Sequence, residues 1–312
     1  MTDKSGIGFS LIVPFYNEQD NVKTLHQEIV TTLKGREYEL IYVNDASTDK
    51  TYQEIKECMS RLDSSPYVKV INLPKNLGQS FAFKVGLDNA RFEVVIFMDG
   101  DLQNDPRDIP HLLDKIKEGY DLVQGIRLNR KDAFLSRRLP STVANFILRV
   151  VSGSKFHDIG CSLKAFKKRL VSDMVFQQGM HRMLPVYFTL KKAKVCELGV
   201  NHRRRRRGKT KYGFSRTLEV LFEIVKINFF ERNSNTFLFF MLIFAFIIFS
   251  YGLIKSVINF SHMRLDTDIY FMLSVLGFYL FVLSAALYIS RSFYIYYKDT
   301  SRLKDVTVET FN

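Results

Sequence analysis

Two stretches near the carboxyl end constrain this chain most. Residues 236–254 (TFLFFMLIFAFIIFSYGLI) and 269–290 (IYFMLSVLGFYLFVLSAALYIS) contain no Asp, Glu, Lys or Arg. A helix needs about 20 apolar residues to cross the hydrocarbon core of a bilayer, so each run is long enough alone. Two buried core helices are the competing reading. Core helices normally keep a polar stripe, however, and these runs have none. Neither run reads as a secretory signal, because the amino terminus (MTDKSGIGFS) has no apolar segment and both lie near the other end. The pattern predicts a two-helix transmembrane hairpin, 236–254 and 269–290, which the mean hydropathy of −0.05 conceals.

Charge is divided as unevenly as hydropathy. The chain carries 45 Lys+Arg and 32 Asp+Glu, a formal balance of +13; residues 236–312 hold six bases and five acids, which leaves 39 and 27, or +12, in residues 1–235. Basic residues favour the cytoplasmic side of a membrane, and two spans return the chain to the side it left. The loop 255–268 is balanced, and the tail after Arg291 adds Lys298, Arg302 and Lys304. These observations predict an integral membrane protein with a cytoplasmic domain over 1–213, an amphipathic juxtamembrane helix over 214–235, the spans within 236–290 and a cytoplasmic tail over 291–312. At 46% hydrophobic residues the chain is not intrinsically disordered. Cys58, Cys161 and Cys196 stand far apart without CxxC spacing, which excludes a zinc ribbon or disulfide framework and fits a reducing compartment.

Within the soluble part, short β-rich apolar runs alternate with amphipathic stretches. Ser10–Val13, Glu39–Val43, Val68–Asn72, Val94–Met98 and Asp121–Gln124 read as strands; 20–33, 49–62, 79–90, 109–118 and 140–152 read as helices. Such alternation implies an α/β fold with a mostly parallel sheet flanked by helices on both faces. Chemistry in these folds gathers at the carboxyl ends of the strands. The first strand ends in Pro14-Phe15-Tyr16-Asn17-Glu18 and the second in Asn44-Asp45-Ala46-Ser47-Thr48-Asp49, either of which could be an ordinary turn. The fourth runs VVIFMDGDLQNDP, with Asp99 and Asp101 two apart at its end. Residues two apart on extended backbone face the same side, so the two carboxylates, with Gln103, can meet one hard cation. Like charges set together are unfavourable unless a metal compensates them. The arrangement suggests a nucleotide diphosphate held through Mg²⁺ or Mn²⁺.

Other nucleotide and catalytic signatures fail. Gly6-Ile7-Gly8 precedes its strand, so it is no dinucleotide-binding turn, and Gly208-Lys209-Thr210 has Arg203 where a P-loop needs its first glycine. The six histidines show no paired metal spacing, and no GxSxG or clear nucleophile–base set is present.

Taken together, SLIVPFYNE, ELIYVNDASTD, NLGQSFAFKVGLDNA, VIFMDGDLQNDPRDIP and GYDLVQGIRLNRKD resemble, in order and spacing, the family 2 glycosyltransferases with a GT-A fold. DLQNDP, HDIGCSLKAFKK and HRRRRRGKTKYGFSR are similar to its polyprenyl-phosphate branch. That branch includes dolichol-phosphate mannose synthases, bacterial prenyl-phosphate glucosyltransferases and the undecaprenyl-phosphate aminoarabinose transferase. The resemblance covers roughly residues 8–232. It implies a Rossmann-like domain that moves one sugar from a UDP- or GDP-linked donor to an undecaprenyl or dolichyl monophosphate. A bacterial inner membrane is the implied setting.

The same resemblance implies roles for individual residues. Pro14, Tyr16 and Glu18 would line the nucleoside pocket and Asp45 would hydrogen-bond the base. Asp99, Asp101 and Gln103 would hold Mg²⁺ or Mn²⁺ and the donor diphosphate. Arg127, Arg137 and Ser141 would bind the acceptor phosphate, Asp158 would sit by the sugar, and Lys209 and Tyr212 would belong to a basic loop near the phosphates. Three departures stand out. Asn44 replaces the first of two commonly adjacent aspartates, and Gly100 takes the place of a small residue, often alanine, where it is expected to be harmless. The chain end (YISRSFYIYYKDTSRLKDVTVETFN) lacks the Gly-Glu-Tyr-Ile-Gly-Arg-like segment of many bacterial members.

A prenyl monophosphate is already anionic near neutral pH, so transfer to it needs no strong general base, and direct displacement would invert the anomeric centre. The run Arg203–Arg207 invites a nucleic-acid reading, but no recognition helix or aromatic-rich RNA motif accompanies it. The following FSRTLEVLFEIVKINFFER reads as an interfacial helix, which sets the arginines against anionic headgroups and the lipid phosphate. The partners expected are therefore a nucleotide-sugar, a polyprenyl phosphate and the membrane, with no nucleic acid; the aromatic-rich hairpin suits self-association. A processive polysaccharide synthase is disfavoured because its Gln-x-x-Arg-Trp-like motif needs a tryptophan and this chain has none. A non-catalytic membrane scaffold is disfavoured by the intact Asp99, Asp101, Gln103, Arg127 and Arg137.

Overall fold

The runs FSLIVPF and YELIYVN are buried at every position, as strands must be when helices cover both faces of their sheet. The computed structural model describes residues 7–59, 67–128, 156–172, 174, 179–203 and 307–311, together with the isolated positions 275, 279 and 282. The chain divides into one unit of residues 1–227 and 305–312 and a second of residues 228–304. All elements below belong to the first unit.

Eight strands form one sheet: β1 Phe9–Phe15, β2 Tyr38–Asn44, β3 Tyr67–Asn72, β4 Val94–Phe97, β5 Leu122–Leu128, β6 Lys164–Lys167, β7 Val195–Asn201 and β8 Thr307–Phe311, in the order β7-β5-β6-β4-β1-β2-β3-β8. Strands β4, β1, β2 and β3 are parallel, as are β5 and β7; β6 runs antiparallel to β4 and β5, and β8 antiparallel to β3. The helices are α1 Gln19–Thr32, α2 Thr51–Met59, α3 Gln79–Asp88, α4 Ile109–Lys117 and α5 Met180–Leu190. In α4 the buried positions Ile109, Leu112, Leu113 and Ile116 recur at helical spacing, so one stripe meets the core.

Alternation along β1 separates two cores. Phe9, Leu11, Val13 and Phe15 pack with Val22, Leu25 and Ile29 of α1, Ile55 of α2 and the α4 stripe. On the other face Phe83 of α3 stacks on Phe97 of β4 with ring centroids 4.1 Å apart, and Phe166 of β6 meets Phe97 edge-on at 4.9 Å. Gly86 lets α3 lie directly on β1, since a Cβ there would stand 2.4 Å from Ile12 Cγ2. Each buried phenylalanine contributes about 1.5–3 kcal/mol by leaving water.

All five expected strands form, as do four of the five expected helices, with ends shifted by a few residues. The fifth, over 140–152, lies outside the described residues, as do the 214–235 helix and nearly all of both apolar runs. Among the described residues no helix is long and apolar enough to cross a membrane. Strands β6, β7 and β8 and helix α5 were not expected. Strand β8 closes the free edge of β3, where Glu309 accepts from Tyr52 Oη at 2.7 Å and pairs with Lys56 at 2.9 Å.

Candidate active site

Strands β4, β1 and β2 are neighbours, so their carboxyl ends open onto one rim. Each exit includes a non-glycine residue in the left-handed region: Leu102 (φ 63°), Asn17 (φ 52°) and Ala46 (φ 53°). Such backbone is unfavourable by about 1–3 kcal/mol per residue and persists where its surroundings fix it. Here the loops fix one another. Asn17 Nδ2 donates to Thr48 Oγ1 (3.1 Å), Thr48 N to Asn17 Oδ1 (2.8 Å), Asn17 N to Ser47 Oγ (3.0 Å) and Glu18 N to Thr51 Oγ1 (2.8 Å). Pro14 is buried in the β1–β2 ladder opposite Val43, Tyr16 is half-buried, and the buried Glu18 accepts from Asn21 Nδ2 at 2.6 Å.

Asp45 is buried, and its two carboxylate oxygens accept from Leu77 N (2.8 Å) and Gly78 N (2.9 Å), fastening the end of β2 to the turn that opens α3. Gly78 has φ 87°, which suits glycine at that turn. Asn44 donates from Nδ2 to Asn72 Oδ1 at 2.6 Å, directly across the β2–β3 ladder. An aspartate at 44 has no N–H to make that bond, so Asn44 and Asn72 fit as a pair.

Asp99 and Asp101 stand two residues apart just beyond β4. Asp99 Oδ1 accepts from Gln79 Nε2 in a short hydrogen bond, and Asp101 Oδ1 accepts from Gln103 N at 3.1 Å. Asn104 Oδ1 receives Asp99 N (3.3 Å) and Ser162 Oγ (2.9 Å), which ties the loop to the DIGCSLK segment. Among the described residues no three His, Cys, Asp or Glu side chains surround a common metal position. Two carboxylates and the Gln103 amide are hard oxygen donors that leave coordination places for diphosphate oxygens. That set fits Mg²⁺ or Mn²⁺.

Gly100 is more than a tolerated small residue. A Cβ there would lie 2.5 Å from the Phe15 ring and 2.8 Å from the Pro14 carbonyl oxygen. Gly100→Ala is therefore expected to destabilise the domain by about 1–3 kcal/mol and to weaken metal use as the loop shifts. Thermal melting in EDTA and metal titration of turnover check both.

Arg127 and Asp158 meet. Arg127 Nε and Nη2 donate to the two Asp158 oxygens at 2.7 Å each, Arg127 N adds a bond at 3.1 Å, and the side chains are only 13% and 9% exposed. The fork that the resemblance assigns to acceptor phosphate thus holds the residue it assigns to the sugar, so Arg127 reaches a phosphate only beside Asp158. Arg137, Ser141, Lys209 and Tyr212 lie outside the described residues.

Behind Asp99 a polar cluster fills the α3–α5 junction. Ser80 Oγ contacts His181 Nδ1 at 2.6 Å and accepts from Gly179 N at 2.7 Å, and the fully buried Lys164 donates to the His181 carbonyl at 2.9 Å. Burial pushes the Lys164 ammonium down to about 8, against the fields of Asp99 and Asp158. Below that value the charged form is a burden on the fold. Between about 8 and its unfolded value of 10.5 the unfolded chain binds the extra proton, so stability rises with pH there. A Lys164→Met variant is expected to lack that rise, which urea unfolding at pH 7 and pH 10 measures. Burial also raises the Cys161 thiol to about 12, so it supplies no thiolate nucleophile near neutrality.

The basic run does not act as one block. Arg203 is half-buried; Nη1 donates to Glu28 Oε1 (2.9 Å) and Oε2 (2.7 Å), and Nη2 pairs with Asp105 at 2.9 Å. The expectation that it faces headgroups is corrected for this residue. Arg204–Arg207 lie outside the described residues. Sequence reasoning also passed over Gln79, Asn104, Ser162, Lys164 and His202. Only Gln79 and Lys164 carried a signal, as polar residues inside otherwise apolar motifs.

Comparison with known proteins identifies the family. Residues 10–175 match the glycosyl transferase family 2. Dodecaprenyl-phosphate galacturonate synthase from Rhizobium johnstonii is 35% identical over 228 residues, 72% of this chain and 67% of that protein. Among solved structures, glucosyl-3-phosphoglycerate synthase from Mycobacterium tuberculosis in complex with Mn²⁺, UDP-glucose and phosphoglyceric acid superposes with a TM-score of 0.57 at 17% identity, covering 72% of this chain and 80% of that one. Mannosyl-3-phosphoglycerate synthase from Rubrobacter xylanophilus gives 0.58 at 17% identity, covering 72% and 74%. These two likenesses bear on the fold, a GT-A-like mixed sheet with flanking helices. The chain belongs to glycosyl transferase family 2 and is a glycosyltransferase.

Proposed function

We propose that this enzyme transfers one sugar from a nucleotide-sugar to a polyprenyl monophosphate at the cytoplasmic face of a membrane, inverting the anomeric centre and requiring Mg²⁺ or Mn²⁺. The observation that carries this reading is that the loop bearing Asp99, Asp101 and Gln103 leaves β4 beside the β1 and β2 exits on one rim, in a chain 35% identical to a dodecaprenyl-phosphate galacturonate synthase. Pro14, Tyr16, Glu18 and Asp45 border the nucleoside end of that rim. Asp99, Asp101 and Gln103 would hold the cation, which when bound supplies Lewis-acid stabilisation to the departing diphosphate. Arg127, Arg137, Ser141 and Lys209 would orient and neutralise the acceptor phosphate, and Asp158 would border the sugar. The protein's work is positioning and charge stabilisation, since the attacking oxygen is already anionic.

The two apolar runs would anchor the enzyme. Support comes from β8: the first unit resumes at residue 305 and pairs β8 with β3, which fits an even number of crossings within residues 228–304. The test is a donor screen of the purified full chain, UDP- and GDP-hexoses and UDP-galacturonate against undecaprenyl and dolichyl phosphate. A lipid-linked sugar from at least one pair is expected. Transfer only to soluble acceptors would overturn the proposal.

A further inference from the structure

We infer that His202 is a positioning residue for the cation site: it fixes which way the Gln103 amide faces. The inference rests on the metal reading proposed above. Only the carbonyl oxygen of a glutamine side chain can ligate a cation, and a flipped amide would present N–H donors to it instead. In this chain Gln103 Nε2 lies 3.3 Å from His202 Nε2 and 3.3 Å from the Arg203 carbonyl oxygen. The Arg203 carbonyl can only accept, and His202 Nε2 accepts beside it when the imidazole proton sits on Nδ1, so both N–H groups are claimed and Oε1 becomes the corner of the amide turned away from them. Outer partners of this kind set ligand orientation in many metal sites.

His202 can fix the amide because its own backbone is pinned on both sides. Asn201 N and Nδ2 donate to the buried Asp108 at 2.7 and 2.9 Å. His202 forms an antiparallel bridge with Asn104, and Arg203 N donates to the Gln103 carbonyl at 2.9 Å. The Arg203 guanidinium is gripped by Glu28 and Asp105. Arg107 holds the same carboxylate from its other side, its Nε donating to Asp105 Oδ1 at 3.0 Å and its Nη2 to Oδ2 at 2.6 Å. The three residues after the last core position of β7 thus form a clamp along the outer side of the DLQND loop. Its middle member touches the amide that the cation would use.

The experiment measures Mn²⁺ binding by the paramagnetic resonance signal of free Mn²⁺, with and without UDP, on the purified full chain. Proteins compared are wild type, His202→Phe, His202→Asn and Asp101→Ala. His202→Phe is expected to weaken Mn²⁺ binding about 10–100-fold while its melting temperature in EDTA stays near wild type. His202→Asn keeps an acceptor and is expected to recover most of the affinity. Wild-type Mn²⁺ binding by His202→Phe, beside lost binding by Asp101→Ala, would overturn the inference and leave the metal site standing. Wild-type binding by Asp101→Ala would instead sink the metal reading itself. A melting temperature in EDTA that falls in both His202 variants in step with affinity would make the residue merely structural and also overturn the inference.

Discussion

Asp101→Ala is expected to lower turnover by about 10³-fold or more while the protein stays folded. The carboxylate stands in a half-buried loop rather than in either core, where it accepts from Gln103 N at 3.1 Å. Losing such a bond removes only about 1 kcal/mol of stability. Removing one of two neighbouring carboxylates also relieves repulsion in the metal-free protein. The loss therefore falls on the transition state. Lewis-acid stabilisation of a leaving diphosphate is worth several kcal/mol, and each 1.36 kcal/mol is tenfold in rate. Turnover together with melting in EDTA separates this outcome from unfolding. A folded variant with near-wild-type transfer would remove Asp101 from the metal site.

Asp158→Ala is expected to be the most destabilising single change at the site, by about 3–5 kcal/mol, because it removes the carboxylate gripped by the Arg127 guanidinium in a largely closed setting. Activity should fall with it, since the fork would lose the two Asp158 oxygens it grips. The double change Arg127→Met with Asp158→Leu should be less destabilising than Asp158→Ala alone, as replacing a buried pair by apolar groups often is. Both comparisons are read from urea unfolding of the detergent-purified chain. A double variant that loses as much as the sum of the two single variants would show that the pair's surroundings, rather than its charge balance, decide the site.

These two residues also show what the sequence can and cannot reveal. Asp101 stands out in the sequence because two carboxylates at the end of an apolar strand have few other uses. The parallel core was legible for a similar reason: β1, β2 and β4 are continuous apolar runs, and α4 repeats its buried positions at helical spacing. Strands β6 and β8 were not. KAFK and TVETF are short and mix polar with apolar residues; β6 is held between β4 and β5, and β8 adds to the open edge of β3. β7 (VCELGVN) is likewise half exposed, with a glutamate that holds His157 and Asp158.

At the site, residue types were easier to read than partnerships. Arg127 and Asp158 were each picked out, but their bond joins positions 31 residues apart and leaves no local pattern. Asp45 was read as a base-binding group, and its position at the rim permits that, yet its two oxygens also brace the start of α3. Gly100 looked inconsequential because the Phe15 ring that closes the space belongs to another strand. The run Arg203–Arg207 was read as facing anionic headgroups, whereas Arg203 pairs with the carboxylates of Glu28 and Asp105.

The most direct measurement supplies the purified chain with undecaprenyl phosphate and radiolabelled nucleotide-sugar, and counts label that enters the organic phase with and without EDTA. The account predicts lipid-borne label that EDTA abolishes and Mg²⁺ or Mn²⁺ restores. Undiminished transfer in EDTA would contradict the metal mechanism, and label that never leaves the aqueous phase would contradict the lipid acceptor.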